Sequence, residues 1–450
     1  MRDPAPETRP VVLTVAGSDS GGGAGIQADL KTIEACGGFG TSAVTAITAQ
    51  HTRGVESTHV VPVTEVTAQI DAVCEDVDVD VLKTGMLATE PIVERVAEHA
   101  ADLDVPAVVD PVLVAASGDR LLDPGAETAY EDLLAAATLA TPNADEAEVL
   151  TGVEVTDVER AVTAGQALLD TGVDAVLVKG GHVPGDVVRD VLVTPDGTET
   201  FTHPRVDTDA THGSGCTLAS AIATRLARGD PLTEAVSAGT DLLERAVRYH
   251  HDVGKGPGTV HHLAALRERA ARTPTREAVE EVVHEFVSAD VGRVVPEVGM
   301  NVVGATPYAE TPGETAAVEG RISRTPSGIA PNRGVRFGAS SHVARLLLTA
   351  REHDPALRFA VNCRFDEGIE AAFTAIDAPV VEVDRREEPA PDEEGSTMGW
   401  VARRAFDRVS GTPAVVYDRG DVGKEAITRV LAPDAETAVS RVHTLADRAE

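Results

Sequence analysis

The sequence predicts an α/β protein built as two units, the first a mostly parallel sheet with helices on both faces. Two observations carry this. Short apolar runs alternate with amphipathic stretches throughout the first half, the rhythm of βαβ units. Charge and rhythm then change together near residue 270, where a second set of strand-like runs begins. A chain of 450 residues has room for two such domains, each with its own core.

The elements follow in order. VVLTVAG (11–17) reads as a buried strand, then a Gly-rich turn, then AGIQADLKTIEACG as a helix. The runs VDVLKTGM (79–86), PAVVDPVL (106–113) and AVLVKGG (175–181) are each preceded by an amphipathic stretch. Ligands of such sheets sit beyond the C-terminal strand ends, which singles out Asp19, Gln50, Met86, Asp110 and Lys179. THGSGCT (211–217) then delivers a cysteine to a helix with Leu218, Ile222 and Leu226 on one face.

The rhythm breaks in the Arg-rich stretch 264–277, which contains Pro274 and reads as a helix end followed by a linker. Residues 1–270 hold 43 acids and 18 bases, net −25, and residues 271–450 hold 30 and 21, net −9. Strand-like runs follow at VVGAT (302–306), LRFAVNCRF (357–365), PVVEVD (379–384) and PAVVYD (413–418), with SSHVARLLLTARE (340–352) as a helix. RREEPAPDEEGST (385–397) reads as an exposed acidic loop, and there is no internal repeat.

Composition narrows the function. With 73 Asp and Glu against 39 Lys and Arg, and only five lysines, the chain resembles proteins of salt-saturated cytoplasm, as in halophilic archaea. A net charge of −34 argues against nucleic acid or an anionic membrane as partner. The N-terminus lacks a signal-peptide apolar core, and no apolar run approaches the ~18 residues of a membrane span. Cys36, Cys74, Cys216 and Cys363 show no CxxC spacing, so neither a disulfide framework nor a zinc site is indicated. These features predict a cytoplasmic protein acting on small molecules. Its oligomeric state is left open, a homo-oligomer included.

The most specific chemistry lies in THGSGCT. Gly213 and Gly215 allow a sharp turn, and the amides of Gly213, Ser214, Gly215 and Cys216 then point outward at a helix N-terminus, an anion site. Cys216 sits in the same field, which favours its thiolate and suits a base for phosphoryl transfer. The same residues also fit a capping loop around an inert, buried cysteine. VAGSDSGGGAGIQADLKT (15–32) is neither a Walker loop nor an ordered GxGxxG, so it assigns no nucleotide by itself.

Taken together, AGSDSGGGAGIQADLKT, TAITAQHTRGV (45–55), KTGML (83–87), VVDPV (108–112), SGDRLL (117–122), TPNADEAEVLTG (141–152), VLVKGGH (176–182), THGSGCT and GPGTVHH (256–262) form an ordered set. Over about residues 10–265 they resemble the hydroxymethylpyrimidine/phosphomethylpyrimidine kinases of the ribokinase superfamily. The resemblance implies a ribokinase-like αβα sandwich over residues 1–268, with ATP and Mg²⁺ as cofactors. It places Asp29 and Gln50 at the pyrimidine's polar edge, Met86 and Val112 against the ring, and Lys179 near the nucleotide phosphates. Asn143 and Glu146 would organise Mg²⁺ and phosphate, and Cys216 would face the attacking oxygen. Plainer readings stand beside these: a structural salt bridge for Lys179, a helix cap for Glu146, simple core for Met86. His51, His59, His182 and His203 give no metal spacing.

In the second half, EGRISRTPSGIAPNRG (319–334) carries Arg321, Arg324 and Arg333, a set suited to a diphosphate. GASSHVARLL (338–347) puts Ser340 or Ser341 at an N-cap and His342 in the first turn, where the positive helix end keeps imidazole neutral. VVYDRGDVGKEA (415–426) presents Asp418, Gly420, Gly423 and Lys424. A solvated arginine loop beside a capped helix explains the same features. With EVGMNVVGATPYA (297–309) and AVNCRF, they resemble the archaeal-type thiamine-phosphate synthases over residues 278–450, behind a linker at 269–277. That resemblance implies catalytic roles for Arg321 and His342, substrate binding by Lys424, and a bifunctional thiamine-biosynthesis enzyme. The substrates would be hydroxymethylpyrimidine, its phosphates and thiazole phosphate. Alternatives are a non-catalytic thiamine-phosphate sensor behind the kinase, or a pyridoxal kinase, for which Gln50 and Met86 would not line the pocket.

Overall fold

The computed structural model describes residues 7–113, 127–388, 397–421 and 424–449. The motif SGDRLL (117–122), most of the acidic loop 385–397 and Gly423 lie outside the described residues. The chain divides into two compact units, Met1–Ala265 and Leu266–Glu450.

The first unit is a nine-stranded sheet: β1 (Val11–Asp19), β2 (Phe39–His51), β3 (Gly54–Val60), β4 (Val81–Thr84), β5 (Ala107–Val109), β6 (Leu139–Ala140), β7 (Val176–Val178), β8 (Val187–Thr194) and β9 (Gly197–Pro204). Its order is β3-β2-β1-β4-β5-β6-β7-β8-β9. The centre, β2 to β7, is parallel, and antiparallel hairpins extend both edges. Strand side chains alternate between two cores. Val12, Val81 and Leu139 pack with Leu218 and Ile222, whereas Leu13, Leu82 and Val109 pack on the opposite face with Ile70 and Val96. Helices on both faces leave the C-terminal strand ends as the open edge, which positions the site.

The second unit forms β10 (Val302–Ala305), β11 (Thr315–Val318), β12 (Ile322–Thr325), β13 (Gly328–Pro331), β14 (Val335–Phe337), β15 (Phe359–Arg364), β16 (Val380–Glu382), β17 (Val415–Asp418) and β18 (Ile427–Ala432). Seven of them make a sheet of order β14-β11-β10-β15-β18-β17-β16, antiparallel except for β16 with β17, while β12 and β13 form a separate hairpin. Val302, Val361 and Val430 face one core, and Val303, Ala360 and Leu431 the other.

The expected linker, 269–277, is a correction: it lies inside one helix, Ala264–Ser288. Pro274 forfeits a single backbone bond, and the rest of the helix compensates. Val279, Val282, Val283 and Phe286 bury one face, and Glu268–Arg272 and Arg276–Glu280 pair one turn apart at 3.3 and 3.8 Å.

Candidate active site

A cavity of about 940 Å³ opens at the C-terminal strand ends of the first unit, and Asp19, Gln50, Met86, Asp110 and Lys179 all line it. Asp19, ending β1, fastens the Gly-rich turn. Its carboxylate accepts the amides of Gly21 (2.7 Å), Gly23 (2.9 Å) and Ala24 (2.8 Å). Burial alone would raise its pKa, but His212 and these amides hold it below the usual value. His212 Nε2 donates to Asp19 Oδ2 at 3.2 Å and lies 3.3 Å from Gln50 Nε2, so the imidazole stands between the turn and Gln50. Sequence reasoning passed over His212, although it stands inside THGSGCT.

The second Gly-rich turn presses on the first. Gly213, at φ +84°, is the N-cap of the helix Ser214–Ala227, and a Cβ there would lie 1.8 Å from the Gly23 carbonyl oxygen. Gly213→Ala should therefore force the two loops apart, at about 1–3 kcal/mol for the strained backbone alone. Thermal unfolding should fall by several degrees and nucleotide affinity with it; an unchanged melting point and affinity would contradict this packing. The Ser214 amide turns back to the Thr211 carbonyl at 3.0 Å, and Thr217 donates to Gly213. That takes Ser214 out of the expected four-amide cradle; of the others, the helix-end amides of Gly215 and Cys216 have no intrahelical acceptor. A Cβ at Gly215 would sit 3.2 Å from Lys179 Nζ, so ammonium and helix end converge.

Lys179 follows β7 and donates to Asp110 Oδ1 at 2.8 Å, with Glu146 Oε2 at 3.8 Å. Burial works against its charge, but the two carboxylates more than offset it and raise its pKa. Thr141 also donates to Asp110, at 3.0 Å. Asn143 and Glu146 line the cavity and form a reciprocal capping box at the start of the helix Ala144–Thr151, each bond 2.8 Å. Burial pushes the Glu146 carboxyl up to about 7, Asp110 adds to this, and Lys179 opposes it. Met86 and Val112 also line the cavity.

Two expectations need correction. Cys216 lines the cavity, but its thiol is not biased to thiolate. Burial pushes its pKa up to about 11, with Asp29 and Asp110 adding to the rise against Lys83 and the Gly25 amide. Desolvation outweighs the helix end. Asp29 does not line the cavity. It is fully enclosed, with its oxygens taken by Lys83 (2.9 and 3.0 Å), Thr14 (2.7 Å) and Ser220 (2.8 Å), so direct contact with a pyrimidine edge is not available to it.

In the second unit the three arginines take separate partners. Arg321 bonds the Val298 carbonyl, Arg324 holds the Val295 carbonyl at 2.6 Å, and Arg333 lies 3.6 Å from Glu319. The Glu297 and Val298 amides donate to Glu425 at 2.7 and 3.1 Å, so Arg321 and the segment carrying Lys424 share one turn. Lys424 itself pairs with Glu388 at 3.2 Å. His342 begins the helix His342–His353 behind Ser341, as expected. The Ser341 hydroxyl makes no cap, however, and lies 3.2 Å from His342 Nδ1. Arg321 leaves the sheet where Val318 pairs with Val335, whereas the chain toward His342 leaves β14 at the other end, where Gly338 donates to Thr315. Arg321 also holds φ +76°, a strained backbone for a non-glycine. Arg429, 2.8 Å from the fully buried Asp418, anchors the loop after β17 and went unnoticed in the sequence.

Residues 19–261 match the phosphomethylpyrimidine kinase family. The chain belongs to that family. Residues 278–444 match a second one, the thiamine-phosphate synthase ThiN, so both units belong to transferase families. The hydroxymethylpyrimidine/phosphomethylpyrimidine kinase of Streptomyces coelicolor is 49% identical over 264 residues, 58% of this chain and 98% of that protein. The thiamine biosynthesis bifunctional protein ThiED of Geobacter sulfurreducens is 48% identical over 267 residues, 59% of this chain but 54% of that protein. Among solved structures, the Staphylococcus aureus pyridoxal kinase with AMP-PCP and pyridoxal superposes with a TM-score of 0.54 at 31% identity, covering 58% of this chain and 96% of that one. The ADP complex of Bacillus subtilis pyridoxal kinase gives 0.54 and 31%, over 57% and 98%. The phosphomethylpyrimidine kinase unit thus has the ribokinase-like fold.

Proposed function

We propose that the first unit transfers the γ-phosphate of ATP to hydroxymethylpyrimidine and then to its monophosphate. The second unit joins the resulting diphosphate to thiazole phosphate, releasing pyrophosphate and forming thiamine phosphate. The carrying observation is one cavity that holds a helix N-terminus, an ammonium and a thiol together with Gln50 and Met86.

Phosphoryl transfer is mostly positioning and charge neutralisation. The Gly215 and Cys216 amides and Lys179 hold the phosphate, Gln50 meets the pyrimidine's polar edge, and Met86 and Val112 flank the ring. Among the described residues, no group of three His, Cys, Asp or Glu side chains is placed to hold a metal. Mg²⁺ carried on a nucleotide needs only one or two carboxylates, and Glu146, buried beside the cavity with a raised pKa, fits that need. Glu146 and Asn143 would hold the ion there, and it would supply charge neutralisation for the phosphate.

Cys216 accepts the hydroxyl proton. Because its thiol is pushed up to about 11, the basic form grows with pH through the neutral range, and kcat/KM should rise with it. Cys216→Ala should lower turnover by about 100-fold or more while nucleotide binding persists. Cys216→Asp should retain more activity and move that rise to lower pH, since a carboxyl ionises more readily than a thiol. If both variants turn over like the parent, Cys216 is not the base.

A second reading, pyridoxal kinase, is favoured by the solved neighbours but opposed by Gln50 and Met86 lining the cavity. Kinetics of the intact chain with MgATP decide between them. Two successive phosphorylations of hydroxymethylpyrimidine are expected, and faster turnover of pyridoxal would install the alternative.

In the second unit the diphosphate leaves as the pyrimidine methylene becomes cationic, so leaving-group stabilisation is the main task. Arg321 serves it and His342 moves or holds a proton, with Lys424 binding substrate. The acidic surface, net −34, suits a salt-rich cytoplasm. There, counterions screen its self-repulsion. The melting temperature should climb between dilute and molar KCl, and a flat response would reject halophilic adaptation. Among the described residues no helix is long and apolar enough to cross a membrane.

A further inference from the structure

Behind the candidate base lies an ion pair that the reading above leaves unused. Lys83 on β4 and Asp29 on the helix Gly25–Ala35 are both fully enclosed. Lys83 Nζ donates to both Asp29 oxygens, at 2.9 and 3.0 Å, and the hydroxyls of Thr14 and Ser220 complete the carboxylate's shell. Ser220 is one helical turn beyond Cys216 and so shares its face. A Cβ at Gly85, which lines the cavity, would lie 3.1 Å from Lys83 Nζ, so the ammonium stands directly behind the cavity wall. Enclosed ion pairs are poor stabilisers, because apolar side chains of similar volume often do as well. This placement therefore asks for another reason.

We propose that Lys83, gripped by Asp29, is a positioning residue of the kinase reaction that holds the negative charge Cys216 carries as base. The proposal rests on reading Cys216 as that base. In the step, the substrate oxygen bonds the γ-phosphorus, and the bond to the ADP oxygen breaks with its electron pair leaving on ADP. The hydroxyl proton goes to the Cys216 sulfur. The sulfur is anionic before the step and neutral after it, and Lys83 stabilises the anionic side. Cys216 is faced by Lys83 and Asp29, by Asp110 past β5 and by Lys179 past β7. Lys83 is the strongest of those that oppose burial of the anion. Asp29 prevents the buried ammonium from discharging.

The test is the iodoacetamide alkylation rate of Cys216 in the full chain below pH 9, followed on the Cys216 peptide by mass spectrometry. Lys83→Met should cut the thiolate fraction about tenfold; the greater nucleophilicity of the remaining thiolate offsets part of this, so alkylation slows by about threefold or more. Lys83→Arg should stay nearer the parent, and the rise of kcat/KM with pH should move upward in Lys83→Met. If that variant does not fold, Lys83→Gln, which removes the charge and keeps a donor for Asp29, takes its place, and slower alkylation is still expected. An unchanged rate in a folded, nucleotide-binding variant overturns the proposal whatever happens to its melting point. Slower alkylation with full activity in Cys216→Ala would instead keep the pairing and overturn the base.

Discussion

Lys179→Met should slow phosphoryl transfer by about 30- to 1,000-fold, the equivalent of about 2–4 kcal/mol of transition-state stabilisation, and leave pyrimidine affinity nearly intact. The ammonium lies 2.8 Å from Asp110 and 3.8 Å from Glu146, beside the helix end at Gly215. It therefore stands where charge on a transferring phosphoryl group would be met by amides from one side and a cation from the other. Removing it leaves two enclosed carboxylates facing each other. Glu146, already pushed up to about 7, should then rise further and take a proton at neutral pH, which keeps the unit folded. Steady-state kinetics beside thermal unfolding decide the matter. A normal rate with a lowered melting point would reassign Lys179 to structure.

Arg321→Ala and His342→Ala should each suppress thiamine phosphate formation by about 100-fold or more while pyrimidine diphosphate accumulates. Loss of Arg321 should chiefly raise the requirement for the diphosphate, and loss of His342 should lower turnover. The backbone supplies a sharper check. Arg321 holds φ +76°, where a non-glycine residue costs about 1–2 kcal/mol. Arg321→Gly should thus unfold at a higher temperature than Arg321→Ala while remaining equally defective in coupling. Kinase activity falling equally in these variants would mean that the two units do not work independently.

The strand ends were legible because their cause is local. Apolar runs terminating at Asp19, Met86, Asp110 and Lys179 specify where a parallel sheet opens, and all four residues line the cavity. What the sequence concealed depends on tertiary burial. The helix end argues for a Cys216 thiolate, but enclosure beside Asp29 and Asp110 reverses the balance. The family resemblance puts Asp29 at the pyrimidine's edge, yet Lys83, fifty-four positions away, claims its carboxylate. Pro274 signals a break, but the valines and Phe286 that follow bury a helical face and carry the helix through. The mostly antiparallel second sheet was invisible for the same reason, since strand partners such as Val302 and Val361 are set by packing and not by neighbouring residues.

The most direct test is a single reaction with the intact chain, hydroxymethylpyrimidine, thiazole phosphate and MgATP, followed over time by mass spectrometry. Pyrimidine monophosphate, then diphosphate, then thiamine phosphate with pyrophosphate should appear in that order. Diphosphate accumulating without thiamine phosphate would contradict the synthase role of the second unit, and failure to phosphorylate the pyrimidine at all would contradict the account as a whole.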